Sequence, residues 1–357
     1  MWWSYSTHRT KRLCQRMLVY EQKVASPTTN DSARREAFLL RQLQSLPEWQ
    51  GILVHETLKD CLVPRLRLRS PFSIDDLVHH AERLAVRQWD FSAKQRFREP
   101  GMVKTAQGDV YCALRLHETG ELSISRSEAL ATVAEFCHRC FQNLMDQSDL
   151  LATLRSASNF VAERQLTFPL SVATVRAIPD LVCRLPNKGF LIVDWKTVAS
   201  ETDDYANQLY LYALAAIRSD RWADIEPENI LLREANLFQG IVRAYPVTPA
   251  RLALTEDFAY ASIRESETLL AGISKADFLM EDYEVAEKTT TCALCAFQSM
   301  CRRDIQRSVQ QQLPFVSELA VSKRRVRLNK EEKHEIRDTA AAVLDSDLFR
   351  MVEGIAE

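Results

Sequence analysis

The run from Phe190 to Thr197 reads FLIVDWKT, an apolar stretch that ends in an acid, a tryptophan and a lysine. Strand side chains alternate between faces, so Asp194 and Lys196 point the same way. A carboxylate and an ammonium together on a buried strand are costly to desolvate unless something uses both. A divalent metal ion and a phosphodiester would use both. The carboxylate holds the ion, and the ammonium orients a water or neutralises charge developing on the attacked phosphate. Asp180 lies on the preceding strand candidate, and the turn Pro186-Asn187-Lys188-Gly189 lets the two carboxylates converge. Two carboxylates, joined by an imidazole such as that of His55, make a hard, mostly oxygen site suited to Mg²⁺ or Mn²⁺. Downstream, Gln208 and Tyr212 stand four residues apart and share one helix face.

These side chains come from distant parts of the chain, and the elements around them must gather them. An acid-x-lysine strand end is common and read alone is a surface ion pair; its surroundings give it weight. Leu191, Ile192 and Val193 make the strand apolar on both faces, hence central. Further strands are predicted over Ala162 to Leu170 and Val172 to Leu185, with the central strand running from Phe190 to Val198. A helix follows from Asp203 to Arg218, with Asp203 or Asp204 near its start, and a strand pair lies within 230–247, one half being Gln239 to Pro246. Upstream, a basic helix over 6–22 carries Cys14, and another over 32–45 ends near Pro47. Ser73 caps a helix whose apolar positions are Ile74, Leu77, Val78, Ala81, Leu84 and Ala85. Residues 102–125 alternate like strands or a hairpin turned at Thr119-Gly120, and 127–160 look helical. A helix over 255–272, a cysteine-rich stretch over 292–301 and a helical tail over 305–357, containing the basic segment Lys323-Arg324-Arg325-Val326-Arg327, complete the chain.

The 357 residues accommodate one large domain or two modest ones. With 46 Lys and Arg against 48 Asp and Glu, the chain as a whole lacks the basic footprint of a nucleic-acid binder, although a local groove can still be basic. Only 8 glycines occur, which favours helix and draws attention to Gly51 and Gly189. No apolar run reaches membrane-spanning length, and the opening MWWSYSTHRTKR lacks the apolar core of a signal peptide, so a cytoplasmic protein is expected. In that reducing compartment, 9 cysteines serve as metal ligands or buried thiols rather than disulfides.

The ordered set Asp180, Asp194-Trp195-Lys196 and Gln208-Leu-Tyr-Leu-Tyr212 resembles the PD-(D/E)XK nuclease superfamily, specifically its RecB-like branch. Gly51-Ile-Leu-Val-His55 matches the branch's upstream Gly-x-x-x-His helix. The resemblance covers 1–60 and 160–301. It implies an α/β, restriction-endonuclease-like fold: a central mixed sheet flanked by helices, with a helical insertion and a helical C-terminal tail. It divides the chain into 1–55, the N-terminal helical part of the core with the first cluster cysteine; 56–160, the insertion; 161–304, the nuclease core with the cysteine cluster; and 305–357, a basic tail. It implies that His55, Asp180 and Asp194 bind metal with help from the Trp195 carbonyl, that Lys196 is catalytic alongside Asp180 and Asp194, and that Gln208 and Tyr212 position the substrate strand. Glu163 resembles the glutamate often found on the strand before the first acid. One departure is Pro179 before Asp180, where a small residue or glycine is common.

Cys292-x2-Cys295-x5-Cys301 is compact and needs a fourth ligand, for which Cys14 is the candidate. The same branch includes members with an iron–sulfur cluster, such as AddB-type nuclease domains, the CRISPR-associated adaptation exonuclease and exonuclease V. The resemblance implies that Cys14, Cys292, Cys295 and Cys301 hold a 4Fe-4S cluster that pins the two ends of the core together. A zinc site pairing Cys137-x2-Cys140 with Cys292-x2-Cys295 competes with it. However, Cys137 and Cys140 fall on an apolar helical stripe with Leu130, Val133 and Leu144, as do buried thiols. Asp75, Asp76, His79 and His80 read as the polar start and outer face of a helix. Arg65-Leu-Arg67-Leu-Arg69 and Lys323 to Arg327 are basic runs able to touch phosphates or simply face solvent.

The function implied is a metal-dependent DNA exonuclease acting on single-stranded ends. Two alternatives stay open: a DNA-binding or scaffold subunit of a helicase–nuclease or defence complex, and a structure-specific endonuclease. No glycine-rich phosphate loop with Lys-Ser/Thr occurs, so the chain carries no recognisable motor of its own.

Overall fold

Among the described residues, eight short strands form two sheets around which helices pack. They are β1 (Trp2–Trp3), β2 (Ser158–Ala162), β3 (Leu166–Leu170), β4 (Ala173–Ala177), β5 (Leu181–Arg184), β6 (Phe190–Lys196), β7 (Ile230–Asn236) and β8 (Ile241–Pro246). The computed structural model describes residues 1–120, 124–186, 188–199, 205–219, 225–273 and 282–305. The larger sheet has the order β2-β5-β6-β7-β8 and the smaller β1-β4-β3. The β6–β7 pair is parallel and β2–β5, β5–β6 and β7–β8 are antiparallel, so the main sheet is mixed. Together with the flanking helices this is the α/β arrangement of a restriction-endonuclease-like core.

Strand β6 is buried along nearly its whole length, as its apolar sequence requires. Its two faces feed two separate cores. Leu191, Val193 and Trp195 pack with helices Leu46–Thr57, Ile74–Ala93 and Arg126–Asp146. Phe190 and Ile192 pack with helix Tyr205–Ile217 and the small sheet. Asp194 and Lys196 share the parity of Ile192 and therefore face the Tyr205–Ile217 side.

Several expected elements divide at identifiable residues. The predicted strand Val172 to Leu185 splits at Ile178-Pro179-Asp180, leaving β4 in the small sheet and β5 in the large one. A proline lacks the N–H that a ladder needs, so it ends the pairing just before Asp180. Ala162 to Leu170 likewise divides into the end of β2 and the whole of β3, with Glu163 at φ +46° between them. The N-terminal helix breaks at Cys14, whose extended backbone (φ −167°, ψ 121°) separates Tyr5–Leu13 from Gln15–Val19. Helix Ser32–Leu40 ends early, and Pro47 instead lies in the first turn of Leu46–Thr57, where a proline fits. Ser45 and Glu48 cap that helix reciprocally. Ser73 does the same with Asp76 for helix Ile74–Ala93, as expected.

The predicted hairpin over 102–125 is absent among the described residues. Short helical turns, Lys104–Gln107 and Arg115–Thr119, occupy much of it. Tyr111, Cys112, Ala113 and Leu114 are buried in succession rather than alternately, which a half-solvated hairpin cannot accommodate. One parallel bridge, Gln44 to Leu114, ties this segment down. The strand pair within 230–247 is present, and the helix expected over 255–272 begins earlier, at Pro249. The predicted turn residue Asn187, the predicted helix start at Asp203 or Asp204, residues 121–123 of the predicted hairpin and the predicted basic tail over 306–357 lie outside the described residues.

Candidate active site

Asp194 is the most buried member of the site, with 1% of its surface exposed. Lys196 Nζ lies 2.5 Å from Asp194 Oδ2, a close buried ion pair. Burial lifts the Asp194 carboxyl above the usual range, offset in part by Lys196 and reinforced by Asp180. The lysine is held on its other sides: its ammonium donates to Gln208 Oε1 at 3.0 Å and sits 4.3 Å from the Tyr205 ring centre. Gln208 in turn donates to the Tyr212 hydroxyl at 2.6 Å. One helix face thus carries a chain from Lys196 through Gln208 to Tyr212. Burial first, then the carboxylates of Asp194 and Asp180, hold the Tyr212 phenol protonated.

Asp180 enters from the Pro179 break. Its Oδ2 accepts the Trp195 backbone N–H at 2.7 Å, and its Oδ1 lies 3.4 Å from His55 Nδ1. Burial alone would raise this carboxyl. His55, Lys196 and the Trp195 N–H overcome that and hold it below the usual range. His55 is the reverse case: burial disfavours the imidazolium, but Asp180 and then Asp194 raise it above its ordinary value. Two adjacent carboxylates whose proton affinities are driven apart are what a shared site produces.

Helix Leu46–Thr57 reaches this point because of Gly51. A Cβ built there would sit 2.8 Å from Thr197 Oγ1, the residue just past Lys196. The missing side chain lets the helix press against the end of β6, and His55, about one turn on, then meets Asp180. Glu163, at the end of β2, donates its N–H to the Asp180 carbonyl at 3.1 Å and pairs through its side chain with Lys59 at 3.1 Å.

Every residue predicted for the acidic centre therefore converges: His55, Asp180, Asp194, Trp195 through its backbone, Lys196, Gln208 and Tyr212, with Glu163 beside them. Other participants were not foreseen. Asn236, paired in register with Lys196, donates to the Val198 carbonyl at 3.0 Å, and Gln239 donates to the Ala199 carbonyl at 2.8 Å. Together they hold the chain leaving β6. Lys59 lies four residues after His55, a spacing that flags it; Asn236 has no local signal because its partner is set by strand register.

The donors suit a hard divalent ion: two buried carboxylates and an imidazole converge at one point. Among the described residues no group of three or more His, Cys, Asp or Glu side chains is already drawn into metal-holding geometry.

The cysteines fall into two sets. Cys61, Cys112, Cys137, Cys140 and Cys183 are buried in one core. Cys14, Cys292, Cys295 and Cys301 are half-buried. Burial pushes Cys295 up to about 11, and Cys14, Cys301 and Cys292 each add to that rise, so the four thiols share one neighbourhood. Arg16 Nη1 lies 3.8 Å from Cys301 Sγ, and Cys14 Sγ lies 3.9 Å from the Glu284 carbonyl.

No helix among the described residues is long and apolar enough to cross a membrane. No curated protein matches the chain. A crystal structure of a candidate exonuclease from Eubacterium rectale is similar at 12% identity over 77% of this chain and 92% of its own, with a TM-score of 0.34. A crystal structure of SSO0001 is similar at 15% identity over 71% of this chain and 95% of its own, with a TM-score of 0.28. A family model described as the PD-(D/E)XK nuclease superfamily matches residues 3–302, and the protein belongs to that superfamily.

Proposed function

We propose that the protein is a Mg²⁺- or Mn²⁺-dependent deoxyribonuclease of the RecB-like branch that degrades single-stranded DNA from an end. One observation carries the reading. Asp194 is buried and paired with Lys196, while Asp180 is held toward the same point by the Trp195 N–H and by His55. Two buried carboxylates that converge with only one ammonium and one imidazole to offset them are costly to desolvate, and a divalent cation would offset that cost.

Asp180, Asp194 and His55, with the Trp195 carbonyl, would hold the ion. When bound, it supplies Lewis acidity and an activated water. The other side chains do the rest. Lys196, kept in place by Gln208 and the Tyr205 ring, neutralises charge as it develops on the attacked phosphate. Tyr212 and Gln208 steer the strand across the helix face. The neutral phenol of Tyr212 can donate to a phosphate oxygen without adding charge.

A 4Fe-4S cluster on Cys14, Cys292, Cys295 and Cys301 belongs to the same reading, as a structural clasp joining the N-terminal helix to the end of the core. Its support is the shared neighbourhood of the four half-buried thiols. Anaerobically purified protein should then be brown and carry about four irons per chain, the content of one such cluster. A colourless preparation with stoichiometric zinc would show that the clasp is zinc.

The main test uses end-labelled linear and circular single-stranded DNA with Mg²⁺ or Mn²⁺. Degradation of the linear substrate with the circle intact is expected. Activity that survives Asp194→Ala would remove the proposed centre, and cutting of the circle would make the protein an endonuclease.

A further inference from the structure

Lys59 is a cation without a role in the chemistry above, and it stands beside the centre. Its Nζ lies 3.1 Å from Glu163 Oε2 and 3.8 Å from Asp60 Oδ2. It leaves the helix at the point where regular winding gives way to a π-helical stretch, Leu58–Leu62. Such widened turns are rare and recur at functional sites.

Its partner is also held unusually. Glu163 has φ +46°, a conformation that glycine adopts readily and that other residues adopt at a penalty. Two bonds hold it there: the backbone N–H to the Asp180 carbonyl and the side chain to Lys59. A closed circuit results, from His55 to Asp180, from Asp180 through the backbone to Glu163, from Glu163 to Lys59, and along the helix back to His55. Both members of the ion pair keep some solvent access, 28% for Lys59 and 35% for Glu163, so the pair is exchangeable rather than sealed. Glu56 adds negative charge on the same helix turn, and it already has Gln88 and Lys104 as partners.

We propose that Lys59 is the resident counter-ion of Glu163: it neutralises this carboxylate beside the centre and competes with a divalent cation for it. The inference rests on the metal-dependent reading above. It makes Lys59 a positioning residue that sets how tightly the centre takes up a metal. A merely structural ion pair makes a different prediction. If the pair only holds the turn in shape, removing either partner loosens the centre and weakens metal binding alike. If Lys59 competes for Glu163, removing the two partners has opposite effects.

The experiment is Mn²⁺ titration of the full-length protein, followed by isothermal titration calorimetry and by loss of the free-ion EPR signal, with no DNA present. Lys59→Met should bind Mn²⁺ tighter, by about three- to tenfold, because a nearby positive charge no longer opposes the ion. Glu163→Gln should bind it more weakly, and Lys59→Arg should behave like the wild type. Thermal melts of each variant show that it is folded, and Lys59→Gln serves in place of Lys59→Met if the latter is not. Equal weakening in Lys59→Met and Glu163→Gln would overturn the proposal, as would unchanged Mn²⁺ affinity in Lys59→Met. Asp194→Asn separates the two levels of inference. Wild-type binding that Asp194→Asn abolishes upholds the metal reading even where Lys59→Met fails, whereas a wild type that binds no Mn²⁺ overturns both.

Discussion

The acidic centre and the cysteine cluster are built in opposite ways. At the acidic centre most key side chains hang from regular elements, and Asp180 stands at the short break between two paired strands. Asp194 and Lys196 project from a strand paired on both sides, and Gln208 and Tyr212 project from one helix face. At the cysteine cluster the thiols come from a helix break, a short helix, the turn beyond it and the helical residues 298–305. Side-chain contacts hold that region: Arg16 donates to the Tyr283 carbonyl at 2.8 Å, Gln15 to Glu284 at 2.7 Å, and Tyr20 stacks on Phe297 with ring centres 5.1 Å apart. A site carried on a buried sheet is preorganised by the fold. The cysteine region instead rests on side-chain contacts and a small apolar core of its own, with few backbone bonds to resist its opening.

Four outcomes would break or sharpen that contrast. The largest belongs to the acidic centre. Asp194→Ala or Lys196→Ala should lower turnover by about 10² to 10⁴-fold, the usual scale for loss of an electrostatic or acid–base group. Lys196→Ala also strands the buried Asp194 carboxylate and should melt lower, so the charge-removing Asp194→Asn is the cleaner variant: it should lose turnover with melting little changed, and a collapse in its Tm would mean that the pair is structural.

The cysteine end should respond in the other sense. If the proposed cluster is present, Cys292→Ser or Cys301→Ser removes a clasp between distant segments and should lower Tm by roughly 5–10 °C and expose the N-terminal segment to protease. Turnover per folded molecule should stay within about threefold of wild type, because the centre has its own packing. Loss of turnover with Tm unchanged would place these thiols in the chemistry instead.

Gly51→Ala probes how finely the sheet end is set. The new methyl group meets Thr197 Oγ1, so the helix must retreat and carry His55 away from Asp180. A drop in activity of about tenfold is expected, the scale on which small displacements of a positioned group act. Removing the obstacle in Gly51→Ala/Thr197→Ala should restore most of it, and a double variant no better than the single would assign Gly51 another task.

The smallest effect is a pH dependence in metal-free protein. The folded state raises the His55 pKa and lowers that of Asp180. The histidine contribution is full below its unfolded value and fades as pH rises through the folded one. The aspartate contribution is full above its unfolded value and fades as pH falls through the folded one. The pair therefore stabilises most between about pH 4 and 6.5, the two unfolded values. The Tm difference between wild type and His55→Gln should peak in that window; a flat difference would show that the two groups do not interact.

Much of the centre was legible from spacing because the chemistry is local in sequence. Asp194 and Lys196 share a strand face by alternation, and Gln208 and Tyr212 share a helix face by winding. Pro179 was legible only as a departure from a pattern. In the fold it ends β4 and aims Asp180, since a residue without an N–H cannot continue the ladder. Cys14 reads as part of a continuous helix, whereas its extended backbone breaks that helix and directs its thiol toward Glu284. The segment 102–125 misled because burial from several helices overrides strand-like alternation.

The sequence by itself determined the candidate groups and the order in which they occur, since identity and short-range periodicity need no tertiary information. Only the tertiary structure decided how they meet. It set the parallel register that places Asn236 beside Lys196, the bare Gly51 that admits the helix, the break at Cys14 and the pairing of Lys59 with Glu163. Each of these joins residues far apart in the chain, and such contacts depend on how whole surfaces pack rather than on any local pattern of residues.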